Sequence, residues 1–249
     1  MNDSRSTTLP QWPTHWPPKS FTSVSTWLLA IAIAAALAWA FVAALRSNGP
    51  PLGSLTTLAI VVGIVLQFVV EGGVVAILLA AMPAMSKFSL RELGFRTPDS
   101  KTVWFAVLGA AAMVVVSNGT ASLIDYFAHS THEQDVVEIF KGLHAPWAVA
   151  LFVAFAVVFA PFAEETIFRV FYFNLGLRYW GFWGGAIASG LLFGMAHGDL
   201  YAAFPLALGG MILCYVYYRT RNAWASMISH AIFNALSISL LILAPKLVT

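Results

Sequence analysis

This chain is short of charge. Asp, Glu, Lys and Arg together make up 10% of its 249 residues, while 59% are hydrophobic, and the mean hydropathy is +0.80. A soluble globular domain carries about 25% charged and about 45–50% apolar residues. A water-soluble enzyme, a disordered chain and a nucleic-acid reader are therefore poor descriptions, and no nucleic-acid partner is expected. The formal net charge of +2 is too small to argue for an anionic partner. Cysteine is nearly absent: a lone Cys214 excludes an internal disulfide framework and a Cys-based metal site, and reads as a small apolar residue. Also missing are the alternation over about 10 residues that marks a membrane β-barrel strand, any internal repeat and any low-complexity tract.

What the sequence has is long apolar runs. A membrane-crossing helix needs about 20 of them in succession. Candidates lie near residues 24–45, 54–82, 102–126, 146–175, 182–198, 200–218 and 223–244. The expected fold is an all-α, polytopic transmembrane helix bundle of about seven spans (six to eight), with the lipid bilayer as its partner. The first run is longer than the 7–15 residues of a signal-peptide core, so it reads as a retained span. Residues 1–23 read as a flexible N-terminal tail whose prolines forbid a continuous helix and whose Trp12 and Trp16 suit the headgroup zone. Residues 24–249 read as a single transmembrane domain with its motif core at 146–244. With seven spans and the N-terminus inside, Arg5, Lys19, Lys87, Arg91, Arg96, Lys101, Arg178, Arg219 and Arg221 fall on one side. Arg46, Lys141 and Lys246 fall on the other. The positive-inside rule then predicts a multi-pass protein of the plasma (inner) membrane with a cytoplasmic N-terminus.

Against this background a few polar residues stand out. A charge at the bilayer centre costs about 2.5–3.5 kcal/mol on insertion scales, yet Glu71, Glu164, Glu165 and Arg169 all sit in apolar runs, joined by His197 and His230. Such groups must pair, change protonation or line a wet cavity. Glu165 and Arg169 are spaced i, i+4 with the acid first, the favourable order on a helix. Glu164 lies about 100° away on the same helix and lacks a local partner, as a general base for water would. A structural ion-pair cluster is the plainer alternative. His197 follows Phe193 by four residues, and His230 and Asn234 share a face at i, i+4; each alone is also explained by helix packing. Glu164 and His197 each lie about 16 residues from a turn expected at Trp180-Gly181, about 25 Å along either limb of an antiparallel hairpin. His230 and Asn234 lie roughly 13–20 Å from the Arg221 connection. The depths overlap loosely, which puts the cluster toward the outer half. Glu71 and Gln67, also i, i+4, either bond neighbouring helices or bring Glu71 to the cavity or to Arg169. Gly190 and Gly194 form a Gly-x-x-x-Gly stripe that predicts a close helix approach. His129, His132 and His144 read as residues of a solvated loop.

Taken in order, Glu164-Glu165…Arg169, Phe193…His197 and His230…Asn234 resemble the three motifs of the CPBP (CAAX protease and bacteriocin-processing, or Abi) family of intramembrane proteases. Those motifs are Glu-Glu-x-x-x-Arg, Phe-x-x-x-His and His-x-x-x-Asn or Asp. The resemblance covers about residues 160–235. It implies a multi-helix membrane fold with the active site sunk between helices, and cleavage of peptide bonds in membrane-anchored peptide or protein substrates. On that basis Glu164 would be the base for water, and His197 would orient the water or pass the proton on. His230 and Asn234 would donate to the oxyanion, while Glu165, Arg169 and Phe193 would support them. A metal-assisted version has Glu164, His197 and His230 holding zinc, a three-ligand set with an open fourth position; the metal-free version is preferred on spacing. The competing functions are a non-catalytic membrane scaffold or bacteriocin-immunity type protein on the same bundle, and a small transporter using Glu71 and Glu164 as proton sites. The leaflet from which substrate enters is left open, since the charge rule and the relatives of cytosolic action point to opposite sides.

Overall fold

The computed structural model describes residues 55–86, 89–128 and 135–243. Among these, every regular element is helical. Helix α1 spans Thr57–Ser86, α2 spans Ser100–Ala128 and the short α3 spans Asp135–Lys141. A continuous helical segment Pro146–Ala196 follows, 51 residues long, far beyond what a hydrocarbon core of about 30 Å requires. It is broken at Gly181, whose φ of 66° and ψ of −171° are not helical, so it forms two limbs, α4 (146–180) and α5 (182–196). Helix α6 spans Leu200–Thr220 and α7 spans Ala223–Leu243. Five segments are long and apolar enough to cross a membrane; counting both limbs of the broken one gives six crossings. The chain is a multi-pass membrane helix bundle. The expected span at 24–45, the tail 1–23, and His129 and His132 lie outside the described residues.

The turn at Trp180-Gly181 falls where expected, and contacts on both sides show the limbs running antiparallel. Ser189 Oγ donates to Phe168 O at 2.8 Å, and a Cβ on Gly176 would lie 2.6 Å from Gly185 Cα. The glycine stripe is used as expected. A Cβ on Gly190 would lie 2.6 Å from the Ala207 carbonyl oxygen, and one on Gly194 would overlap that of Ala203. Only residues without a side chain let α5 lie this close to α6.

Helix α6 starts at Asp199, whose carboxylate accepts from the Tyr201 and Ala202 amides at 2.9 and 3.2 Å, filling orphan donors of the first turn. It ends at Arg221, in the left-handed region at φ 54°. Asn222 then accepts from the Trp224 amide at 3.0 Å, starting α7, and donates to Arg96 O at 3.1 Å. Tyr217 Oη donates to Leu93 O at 2.8 Å and the Ala223 amide to Gly94 O at 2.9 Å. The connection after α1 and the α6–α7 turn therefore share one end of the bundle. The Gly181 turn joins them through Phe182 and Tyr218, 5.0 Å apart. Arg91, Arg96, Lys101, Arg178, Arg219 and Arg221 gather at this basic end. Lys141 lies at the other, where Thr57 Oγ1 donates to Gly142 O at 3.2 Å.

Helices α1 and α4 run parallel. Ile60 and Ile64 pack with Ala148 and Phe152, Phe68 stacks on Phe159 with centroids 4.3 Å apart, and Leu78 and Met82 join Val170 and Phe171. Helix α4 is inclined. Phe162 already lies beside Phe95 and Trp224 at the basic end (6.4 and 6.2 Å), yet eleven residues further on Phe173 meets Tyr217 at 6.2 Å.

Candidate active site

The Glu164-Glu165 pair sits on a short α-helical stretch, Ala160–Glu165, between two π-helical stretches, Phe155–Phe159 and Thr166–Phe173. Such wide turns appear mostly as local bulges at functional sites. Pro161 supplies a physical cause for the first. The Ala160 amide bonds back to Phe155 O, an i→i−5 bond. In that register residue 161 would serve Ala156 O, but proline has no N–H. Asn234 of α7 fills the vacancy: its Nδ2 donates to Ala156 O at 2.8 Å. The amide that the motif singles out thus holds the bulged backbone beside the acids, and keeps one Nδ2 hydrogen for other use.

The two acids have separate environments. Glu165 and Arg169 are both 0% exposed, their Oε1 and Nη1 atoms 3.0 Å apart. Arg169 also donates through Nη2 to Gly210 O at 3.2 Å and lies over the Phe193 ring, 4.3 Å from its centroid. His230 Nδ1 lies 3.1 Å from Glu165 Oε1. A carboxylate paired with a guanidinium only accepts, so this imidazole nitrogen carries the hydrogen and Nε2 is turned away from Glu165. Nε2 faces Glu164, 3.9 Å from Oε2. The distance is too long for a direct hydrogen bond, and Glu164 Oε2 is buried without a hydrogen-bond partner. Glu164 is 13% exposed, so it alone of the pair can be reached from outside.

Phe193, 1% exposed, is the hub. Its ring centroid lies 4.8 Å from that of His197 and 5.6 Å from that of His230, besides the Arg169 contact. His197 caps the end of α5, where its Nδ1 lies 2.8 Å from Phe193 O. A carbonyl only accepts, so Nδ1 holds the hydrogen here too, and Nε2 is a lone pair. Glu164, Glu165, Arg169, Phe193, His197, His230 and Asn234, carried by α4, α5 and α7, are therefore one cluster. Glu71 of α1 lies near the same level, one residue before Gly72, where a Cβ would touch the Phe159 ring at 3.7 Å. Nothing in the sequence marks Gly210 O as an Arg169 acceptor. The bulge did have a signal, a proline inside an apolar helix.

The depth differs from the sequence estimate. Residue counts along α4 put Glu164 about 25 Å from the basic end, but the incline of α4 shortens this. His230 is eight residues beyond Asn222, about 12 Å along α7. Glu164 thus lies nearer the basic end than the count suggests, while His197 closes α5 at the end away from Gly181.

Two imidazoles each anchored through Nδ1 to an acceptor are what a zinc site would use to fix its ligands. Yet among the described residues no three His, Cys, Asp or Glu side chains are arranged to hold a metal ion. With Glu165 committed to Arg169, no step is assigned to a metal here.

Comparison with known proteins meets this geometry at the same residues. Residues 146–236 match the family model described as "Type II CAAX prenyl endopeptidase Rce1-like". This motif-bearing segment is similar to CAAX proteases. The chain is also similar to the Bacillus subtilis (strain 168) protein named "Putative membrane peptidase YdiL", at 25% identity over 175 residues, which cover 68% of this chain and 67% of that protein. No solved structure matches significantly. The resemblance carried by the three motifs thus extends over the whole of α4 to α7 up to residue 236, and supports intramembrane protease activity.

Proposed function

We propose that the chain is an intramembrane endopeptidase in which Glu164 activates water for attack on a peptide bond of a membrane-anchored substrate. The observation that carries this is the division of labour between neighbouring acids: Glu165 is neutralised by Arg169 at 3.0 Å, while Glu164 keeps a buried, unpartnered oxygen facing His230 Nε2. Two acceptors side by side hold a water by its two hydrogens. As the water oxygen bonds to the carbonyl carbon, one proton passes to Glu164. The remaining Nδ2 hydrogen of Asn234 serves the developing oxyanion. Glu165 keeps His230 in the tautomer that accepts, and Phe193 fixes the planes of both imidazoles. His197 relays a proton. The basic end is read as cytosolic by the positive-inside rule, so substrate enters from that leaflet, with the N-terminus on the same side. The plasma membrane is the expected site.

The test is cleavage of internally quenched peptides by the full chain in liposomes, using a farnesylated Cys-a-a-X series beside peptides anchored by an acyl chain. Glu164→Gln should lose about 100-fold or more in kcat with an unchanged melting temperature. An active Glu164→Gln variant would overturn the assignment.

A further inference from the structure

Glu71 stands on α1, outside the matched segment 146–236, and nothing in the mechanism above uses it. Its Oε1 accepts from Gln67 Nε2 at 2.8 Å, the neighbour one turn earlier. Its Oε2 is buried with no hydrogen-bond partner. Packing fixes where this oxygen is presented. Phe68 stacks on Phe159, and a Cβ on Gly72 would touch the same ring at 3.7 Å. Further along, Val74, Leu78 and Met82 pack with Val170 and Phe171. Because α1 and α4 run parallel, Glu71 comes between the levels of Phe159 and Glu164. Its electrostatic neighbours are Glu164 from α4 and His197 from the end of α5. The local charge inventory is three carboxyls, Glu71, Glu164 and Glu165, against one guanidinium, Arg169. An uncompensated charge at this depth is expensive, so a buried carboxyl without a counter-charge favours its protonated form.

We propose that Glu71 is the acid that protonates the departing amine. This rests on Glu164 being the base. Water gives one proton to Glu164 as its oxygen bonds to the carbonyl carbon. The carbon–nitrogen bond then breaks as nitrogen takes the proton from Glu71. The products are a carboxylic acid and an amine, with Glu164 protonated and Glu71 ionised. His197, the neighbour of Glu71 with a free Nε2 lone pair, returns the proton from one acid to the other. No outside reactant is needed.

An amine needs a proton to leave, whereas an activated phenol does not. The full chain in liposomes is therefore given an internally quenched farnesylated peptide and the matching ester with a nitrophenol leaving group. Glu71→Gln keeps the size of the side chain and a partner for Gln67. It should lower kcat on the peptide by about 100-fold, leave KM within about twofold, and lower kcat on the ester by less than about fivefold. Glu164→Gln should lose both reactions. Equal losses on the two substrates, as a folding or packing defect would give, overturn the role of Glu71. So does wild-type cleavage of the peptide by Glu71→Gln alongside an inactive Glu164→Gln, an outcome that leaves the base intact. A Glu164→Gln variant that retains activity, or a wild-type chain that cleaves neither substrate, instead overturns the reading on which the proposal stands.

Discussion

Removing Arg169 should be among the most damaging single changes in this protein, and the damage should be reversible by a second change. The guanidinium is 0% exposed, as is Glu165, its partner at 3.0 Å. It also donates to Gly210 O and lies over Phe193 at 4.3 Å. Arg169→Met keeps the bulk of the chain but leaves Glu165 as a buried carboxylate whose one remaining polar neighbour is His230 Nδ1. Breaking a buried pair from one side costs about 3–5 kcal/mol, and a lone charge in mid-membrane costs about 2.5–3.5 kcal/mol. Both estimates are a large fraction of the roughly 5–15 kcal/mol that holds a typical fold together. Replacing both partners with neutral groups of similar shape removes most of that penalty. Glu165→Gln/Arg169→Met should therefore be more stable than Arg169→Met alone by about 2 kcal/mol or more, since the carbonyl of the substituted amide can still accept from His230. Unfolding in bicelles by steric trapping measures all three variants and closes the double-mutant cycle. If Arg169→Met loses less than about 1 kcal/mol, and the double variant is no better than additive, then Arg169 is not the counter-charge of Glu165 and the separation of roles between the two acids fails with it.

Other outcomes follow from the same contacts. Asn234→Ala leaves Ala156 O without its donor and should destabilise by about 1 kcal/mol, the scale of a hydrogen bond between membrane helices. Adding Pro161→Ala restores an N–H to the helix and should recover much of that loss, which thermal unfolding in nanodiscs would show. Gly190→Leu drives a side chain into the Ala207 carbonyl, 2.6 Å from the Cβ position; overpacking of this kind costs about 1–3 kcal/mol and should displace His197, so activity should fall further than stability. Chelation should leave cleavage unchanged; stoichiometric zinc lost together with activity would refute the metal-free mechanism. Asp99, at the start of α2, is held below the usual carboxylate range, first by the Thr102 hydroxyl (2.6 Å) and then by the Thr102 amide (2.8 Å). A lowered carboxyl stabilises the fold above the unfolded value of about 3.9 and ceases to do so as pH falls through the folded one. Asp99→Asn should therefore lose less stability than the wild type between about pH 5 and pH 3, as read by melting temperature.

Much of this was legible in the sequence because a bilayer admits few solutions. Apolar runs of sufficient length must be helices, and the turn at Gly181, the basic end and the close α5–α6 approach through Gly190 and Gly194 follow from local chemistry. Site membership was legible for the same reason: polar residues such as Glu165, Arg169 and His230 are tolerated at depth only when they meet. What the sequence hid was angular. Counting residues along α4 measures path length, not depth. The incline that brings Phe162 beside Trp224 depends on packing against α7 that no local signal encodes. The same holds for the second partner of each group. Gly210 O and Ala156 O are backbone atoms, and no residue type marks them as acceptors.

The bulged stretch around Pro161 explains why one position in the acid pair differs from the next. On a regular helix Glu164 and Glu165 point about 100° apart, and only Glu165 has Arg169 one turn on. Here the wide turn after Glu165 carries Arg169 inward, where Phe193 and Gly210 O receive it, and Glu165 goes with it. The wide turn before Ala160 frees Ala156 O for Asn234, which draws α7 against this stretch and brings His230 between the acids. His230 then binds one acid through Nδ1 and faces the other with Nε2. The other acid of the pair, 13% exposed, is left on the accessible side with His230 Nε2 as its neighbour. A straight helix through residues 155–173 would satisfy Ala156 O internally, release Asn234 and let α7 withdraw. The order of Glu, His and Asn in the sequence would survive, and the 3.9 Å approach of His230 to Glu164 would not.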